Sequence, residues 1–289
     1  MNRDLADATV AIVGLGLMGG SLAAALSARH ACNRVVGVAR RRVTCETARE
    51  LRFIDRGTCD LAEGVAEADI VVLAMPVGEI LATVPLLGPL LKPGCLVTDV
   101  GSTKHAICAA LDALPAALQA VGGHPMCGKE TSGLSVAEPT LYEGRVYVLC
   151  PLARTSPGAL GLARSLVEAV GARPVLLEAE RHDHAVAAIS HLPYTLAVAL
   201  VNAVSALAAS DPACLELAAG GYRDSTRLAS SDLQMMRDIL MTNREPLLEA
   251  LHGAQVELGR LEDALCRGDT AALVALLQAA HNHRREMMR

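Results

Sequence analysis

The chain contains no tryptophan, one phenylalanine and four tyrosines in 289 residues. Without large rings the interior must be filled mainly by Ala and Leu, which favours closely packed helices over a β-sandwich. Lysine is almost as scarce: Lys92, Lys104 and Lys129 are the only three, so positive charge rests on arginine. A net charge of −5 leaves no basic footprint for nucleic acid. The nine cysteines contain no CxxC pair and their number is odd. That argues against a disulfide or metal framework and for free thiols, buried as small apolar groups, in a reducing cytoplasm. The N-terminal segment lacks signal-peptide anatomy, since charges run up to a short strand-like stretch. One uncharged run, residues 192–210, approaches membrane-spanning length. Pro193, Tyr194, Thr195, Asn202 and Ser205 interrupt it, so the expectation is a buried helix and no membrane contact.

What is present is a long chain rich in apolar residues, 52% of the total, whose length predicts two domains. Short apolar runs at residues 9–13, 34–39, 69–74, 95–100, 120–123, 146–149 and 174–177 alternate with helix-like stretches. This is the signature of βαβ units and a parallel sheet. After Glu178 no strand signal recurs and helical periodicity continues to the end. The predicted architecture is therefore α/β: a Rossmann-type doubly wound sheet over residues 1–178, then an all-helical domain over residues 179–289. Leu247, Leu251, Ala254, Leu258, Leu261 and Leu265 alternate at spacings of four and three, an a/d seam of about three heptads. It stops at Arg267-Gly268-Asp269-Thr270, a glycine C-cap followed by a new N-cap. The seam and the uncharged run together present more apolar surface than one small domain hides, which predicts a homodimer.

Gly14-Leu15-Gly16-Leu17-Met18-Gly19 follows the first strand and opens a helix. Glycines there permit a tight turn, close approach of a pyrophosphate to the backbone, and amides of a helix start aimed at phosphate. The turn, with Leu17 and Met18, is a dinucleotide-binding candidate. The second strand ends in Ala39-Arg40-Arg41-Arg42, where an NAD site usually places an acid. Guanidinium groups suit the 2′-phosphate of NADP, so Arg40 and Arg41 point to NADP, with NAD as the other possibility.

Asp99-Val100-Gly101-Ser102-Thr103-Lys104 and Gly122-Gly123-His124-Pro125-Met126-Cys127-Gly128-Lys129-Glu130 lie at strand carboxyl ends, where open α/β sheets bind ligands. Ser102 and Thr103 are equally ordinary helix N-caps. His124 in such a loop can take a proton from a substrate hydroxyl while hydride leaves the same carbon. In the helical part, Ile189-Ser190-His191-Leu192-Pro193 begins the uncharged run. A polar island runs from Gly220 to Asp232, and Arg227 within it is a carboxylate clamp candidate. His182-Asp183-His184 and His281-Asn282-His283 look metal-like but lack zinc-type partner spacing, so no metal is expected and both read as helix-end or tail histidines.

Taken together these motifs resemble the prephenate and arogenate dehydrogenase family over nearly the whole chain, in the family's order. The resemblance implies a Rossmann-type domain followed by a helical dimerising domain, and a cytoplasmic enzyme of tyrosine biosynthesis. Its small-molecule substrate is a cyclohexadiene whose ring loses hydride to a nicotinamide cofactor and then a carboxylate as carbon dioxide, leaving an aromatic phenol. By the same resemblance His124 is the catalytic histidine and Ser102 orients the hydroxyl. His191 lines the substrate pocket, Arg227 binds a substrate carboxylate, and Glu130 and Asp224 stand near the pocket mouth. Lys129 departs from the threonine common in the family; its ammonium would attract substrate carboxylate and repel the ammonium of arogenate, favouring prephenate. The β-hydroxyacid dehydrogenases share the opening turn but use a lysine from the helical domain, and this chain has none beyond Lys129. A non-enzymatic dinucleotide sensor would need the glycines but not His124, His191 and Arg227 together. No fused chorismate mutase or separate regulatory domain is expected.

Overall fold

The computed structural model describes residues 4–287. Its eight strands are β1 (Thr9–Val13), β2 (Arg34–Val38), β3 (Arg56–Thr58), β4 (Ile70–Leu73), β5 (Leu96–Asp99), β6 (Gln119–Pro125), β7 (Val146–Pro151) and β8 (Arg173–Leu176). They form one sheet in the order β3-β2-β1-β4-β5-β6-β7-β8. β1 and β4 lie side by side within it as unbroken Val/Ile/Leu/Ala runs with one leading threonine, buried along their whole length. That is the pattern of strands covered on both faces. The covering layers come from α1 (Leu17–Ala28), α2 (Arg42–Glu50), α3 (Leu61–Val65), α4 (Val77–Leu87), α5 (His105–Asp112) and α6 (Pro157–Ala169). The chain builds outward from β1 to β3, then restarts at β4 on the other side of β1. This reversal opens a crevice at the carboxyl ends of β1 and β4, the place where such sheets take ligands.

The doubly wound sheet is parallel except at one edge. β7 runs antiparallel to β6, and β8 is parallel to β7. A parallel return from β6 would need a crossover, usually a helix. Between these strands the chain forms only a 3-10 turn, Leu134–Val136. β3 had no sequence signal: three residues, Arg-Gly-Thr, carry no apolar run.

Strands end with Leu176. α7 (Ala179–Val186), a π-helical turn (Ala187–His191) and α8 (Leu192–Ala208) then run without a break. Pro193 has no amide to offer the carbonyl four residues back, and its ring crowds that carbonyl, which explains the widened turn just before it. α9 (Ala213–Glu216), α10 (Gly220–Thr226), a 3-10 turn (Arg227–Ser230) and α11 (Leu233–Thr242) complete a compact unit that ends at Asn243.

The apolar run predicted to be a buried helix is helical but not buried. In α8 only Tyr194 and Ala197 are buried, while Leu196, Leu200 and Leu207 stand exposed. By length and composition alone, the continuous helix Ala179–Ala208 could cross a membrane.

A second compact unit begins at Arg244 and consists of α12 (Arg244–Cys266) and α13 (Thr270–Met287). They form a helical hairpin turned by Gly268 at φ +62°, with Asp269 capping the Ala272 amide at 2.9 Å. The predicted seam lies on α12, and Leu258 and Leu265 on it are exposed. Leu247 at its start is buried, and Leu251, Ala254 and Leu261 are half-buried.

Candidate active site

The glycine turn joins β1 to α1. Gly14 sits at φ +102°, a conformation only glycine adopts without strain, and a side chain on Gly19 would collide with the Gly14 carbonyl. A side chain on Gly16 would meet nothing, so that face of the turn is open. Gly16 is the N-cap of α1 and provides no side-chain cap, which leaves the amides of Leu17, Met18 and Gly19 without helical partners. An open concavity lined by free amides at a helix start fits a pyrophosphate. Arg40, Arg41 and Arg42 follow β2 and are all exposed. Arg40 pairs with Glu79 at 3.3 Å and Arg42 with Glu46 at 3.0 Å, while Arg41 makes no ion pair among the described residues.

At the carboxyl edge of β5 and β6 the side chains form a closed network. Asp99 and Lys104 are both fully buried and paired with each other. Asp99 also accepts from the amides of Gly101 at 2.8 Å and Gly123 at 2.9 Å, and Lys104 donates to the Gly123 carbonyl at 2.7 Å. Every group is answered, which is what makes a buried ion pair tolerable. The network pins the strand end from which His124 projects.

His124, on β6 and partly exposed, approaches His182 of α7 edge-on, with Nδ1 of His124 2.8 Å from Nε2 of His182. Nδ1 of His182 lies 2.7 Å from the Asp183 carboxylate. Asp183 accepts in addition from the amides of Lys104 at 2.7 Å and His105 at 2.8 Å, thereby capping α5. The candidate N-caps Ser102 and Thr103 do not serve that role: Lys104 is the N-cap residue and Thr103 meets Thr242 at 2.9 Å. The Ser102 hydroxyl, freed from capping, stands at the same sheet edge as His124. His191 ends the π-turn, buried, with Nδ1 3.0 Å from Nδ2 of Asn243.

The environment sets the charges. Loss of solvation, then the nearby His182, Lys104 and His191, hold His124 well below the ordinary histidine value of 6.5. Burial lowers His191 to about 4. Burial alone would raise the Asp183 carboxyl, but hydrogen bonds from His182, His105 and Lys104 outweigh it and hold the group below its ordinary value. At neutral pH the edge therefore offers two uncharged imidazoles and a fixed carboxylate.

The remaining candidates form a rim. Arg227, at the start of its 3-10 turn, pairs with Glu130 of the loop after β6. Asp224 is exposed on α10 and stays outside that pair. Lys129 does not join His124: its ammonium is taken by Glu138 at 2.8 Å and the Val136 carbonyl at 3.2 Å. An acid nine residues on supplies the partner that the sequence reading assigned to a substrate.

His182, read from sequence as a helix-end residue, is 1% exposed and touches the catalytic candidate directly. Its partner Asp183, the Asn243 that links Asp183 to His191, and the pinning pair Asp99–Lys104 were likewise given no role. The one available signal was a His-Asp pair a few turns ahead of the ISHLPY stretch, too common to assign. His184 is exposed and bonds the Glu180 carbonyl. Among the described residues no group of three or more His, Cys, Asp or Glu is placed to hold a metal ion. None of the nine cysteines is in a disulfide; four are buried, and Cys59, Cys214 and Cys266 are exposed.

Residues 22–176 match the family described as prephenate dehydrogenase, nucleotide-binding domain, and residues 178–279 match prephenate dehydrogenase, dimerization domain. Prephenate dehydrogenase of Bacillus subtilis (strain 168) is 34% identical over 281 residues, 96% of this chain and 75% of that protein. The crystal structure of prephenate dehydrogenase from A. aeolicus, in complex with hydroxyphenyl propionate and NAD+, superposes with a TM-score of 0.90 at 31% identity, covering 99% of this chain and 100% of that one. Synechocystis arogenate dehydrogenase gives 0.82 at 33% identity, over 96% and 99% of the two chains. With a nucleotide cradle at one sheet edge, a neutral histidine at the same edge and both halves matched in order, the chain belongs to the prephenate dehydrogenase family.

Proposed function

We propose that the protein oxidatively decarboxylates prephenate to 4-hydroxyphenylpyruvate, using a nicotinamide cofactor with NADP preferred over NAD. The observation that carries this reading is His124: a neutral imidazole, at the sheet edge that also bears the dinucleotide turn, in a chain of this family. Gly14, Gly16, Leu17, Met18 and Gly19 would hold the pyrophosphate, and Arg40 and Arg41 the 2′-phosphate, with Arg41 free to meet it. The bound nicotinamide ring would supply the hydride acceptor.

His124 takes the proton of the ring hydroxyl as the carbinol carbon gives up its hydride and becomes a carbonyl. The electron pair of the opposite ring carbon's bond to carboxylate then enters the ring, carbon dioxide leaves, and His124 returns the proton to the phenolic oxygen. No net proton is released. Ser102 orients the hydroxyl, His191 lines the pocket, and Arg227 exchanges Glu130 for a substrate carboxylate, with Asp224 beside it.

Residues 1–178 form the dinucleotide domain and residues 179–289 the substrate and dimerisation domain of this proposal. The exposed leucines of α8 and α12 support a homodimer as the occupant of those apolar faces, and free cysteines suit the cytoplasm. Arogenate is the second reading, favoured by one observation: Glu138 neutralises the lysine that would have repelled it. The test is turnover of both substrates with both cofactors, in wild type and His124→Asn. The variant is expected to lose roughly two to four orders of magnitude in kcat while retaining cofactor affinity. No wild-type turnover of either substrate, or near-normal turnover by His124→Asn, overturns the reading.

A further inference from the structure

Asp183 occupies a position that the reaction does not call for. It is 2% exposed, beside a histidine that is 1% exposed, and it bonds outward through both its carboxylate and its backbone carbonyl. Each route ends on a histidine of the site.

The carboxylate route runs Asp183, His182, His124. A carboxylate only accepts, so Nδ1 of His182 carries the proton that bridges the 2.7 Å to Asp183. With the ring's single proton on Nδ1, the other nitrogen, Nε2, is an acceptor. Across 2.8 Å it faces Nδ1 of His124, which must supply the hydrogen. Neutral His124 thus carries its proton on Nδ1 and holds a lone pair on Nε2.

The carbonyl route runs Asp183, Asn243, His191. A carbonyl also only accepts, so the atom of Asn243 lying 2.7 Å from the Asp183 oxygen is the amide nitrogen. The same NH₂ lies 3.0 Å from Nδ1 of His191, which must accept. Neutral His191 therefore carries its proton on Nε2. The two routes leave the histidines in opposite forms, one offering a lone pair and the other an N–H.

We propose that Asp183 is a positioning residue that fixes His124 as a proton acceptor through His182, and His191 as a hydrogen-bond donor through Asn243. This deepens the proposed reaction and rests on His124 being its base. A base with Nε2 already protonated cannot take the hydroxyl proton, and a pocket histidine with a bare Nε2 repels an oxygen it is meant to hold. When His124 gains its proton at Nε2, the Nδ1 proton can shift along the 2.8 Å contact to His182, and the positive charge then rests beside Asp183. The groups that act on His124 in this arrangement are His182 from α7, Lys104 from the start of α5 and His191 from the π-turn, with Asp183 behind His182 and Asp99 behind Lys104.

The test begins with the wild type, so that no variant need fold. Side-chain ¹⁵N shifts of the histidines in the cofactor-free enzyme at neutral pH, assigned by loss of signal in His124→Gln and His191→Gln, report each tautomer. The expected result is protonated Nδ1 on His124 and protonated Nε2 on His191; either one reversed overturns the proposal, whatever the enzyme's activity. In Asp183→Asn an amide can donate to Nδ1 of His182, so His182 would donate from Nε2 and His124 would be left protonated on Nε2. That variant is expected to lose about 10³- to 10⁴-fold in kcat, the scale of a wrong histidine tautomer, with little change in cofactor affinity. Asp183→Asn with the His124 tautomer and the pH profile of kcat unchanged also overturns it. Tautomers as expected but full activity in His124→Asn would instead sink the assignment of His124 as base and leave the tautomer network standing.

Discussion

Around His124 charge is kept out of water and answered by fixed partners, whereas at the rim it is kept in water and answered by partners that can be exchanged. Asp99 and Lys104 are 0% exposed and bonded to each other and to the backbone around them, and Asp183 is 2% exposed with three donors on its carboxylate. Arg227 and Glu130 pair with side chains 59% and 52% exposed, and Lys129 and Glu138 at 31% and 44%. An exposed ion pair contributes about 0–1 kcal/mol. Arg227 can therefore give up Glu130 for an incoming carboxylate at little cost, while the inner network cannot rearrange without stranding a charge. The inner layer sets geometry and protonation; the rim captures.

The sharpest way to break this contrast is to truncate one ion of each layer. Lys104→Met leaves Asp99 buried without its cation and is expected to cost about 3–5 kcal/mol of unfolding free energy, read from denaturant midpoints. Arg227→Ala should stay within about 0.5 kcal/mol of wild type by the same measurement. Comparable losses in the two variants would erase the distinction.

Acid should attack the inner layer. His191 is lowered from 6.5 to about 4, so below pH 6.5 the unfolded chain binds a proton there that the folded chain refuses. Falling pH then favours unfolding; nothing is lost above 6.5, and the effect is complete near pH 4 at about 3 kcal/mol. His124, also lowered, acts in the same direction. Asp183 continues the trend further down, since its lowered carboxyl contributes stability that is lost as pH falls through its folded value. Unfolding midpoints followed from pH 7 to 4 are expected to fall in wild type and to flatten in His191→Gln. An equal slope in both would remove His191 as the cause.

The two layers were also unequally legible in the sequence. Periodicity located seven of the eight strands and the start of the helical region, because apolar runs bounded by glycine turns are local signals. The glycine turn, His124 and Arg227 were visible as motifs. The inner network was not: it depends on α7 meeting β6 and α5, contacts that bridge 58 residues from His124 to His182 and 79 from Lys104 to Asp183. Nothing in His182-Asp183-His184 marks its first two residues as buried and its last as exposed. Burial of the uncharged run was over-read for a related reason, since composition cannot tell a face covered within the chain from one left open.

Capture at the rim is expected to appear in the Michaelis constant. Arg227→Ala should raise KM for the substrate about ten- to a hundredfold with a smaller change in kcat, as expected on losing a charge-assisted contact to a carboxylate. Steady-state kinetics on a folded variant decides it. An unchanged KM would place the carboxylate elsewhere and leave the Glu130–Arg227 pair as a surface contact.

The smallest effect concerns Lys129, where the two readings of one residue part. As a bare ammonium near the substrate side chain it would disfavour arogenate by a like-charge contact of about 1 kcal/mol, or roughly fivefold in relative kcat/KM. With its Nζ 2.8 Å from Glu138 and 3.2 Å from the Val136 carbonyl, the field reaching a ligand is that of a nearly neutral pair. Lys129→Thr is therefore expected to change the ratio of kcat/KM for prephenate and arogenate by less than about twofold. Glu138→Gln is the more informative partner experiment, because it frees the ammonium without removing it. If Lys129 can reach the site, this variant should shift preference toward prephenate while Lys129→Thr does nothing. A fivefold shift toward arogenate in Lys129→Thr itself would mean that the Glu138 pair opens when substrate enters. Lys129 would then belong with Arg227, among the rim charges that trade an internal partner for the ligand.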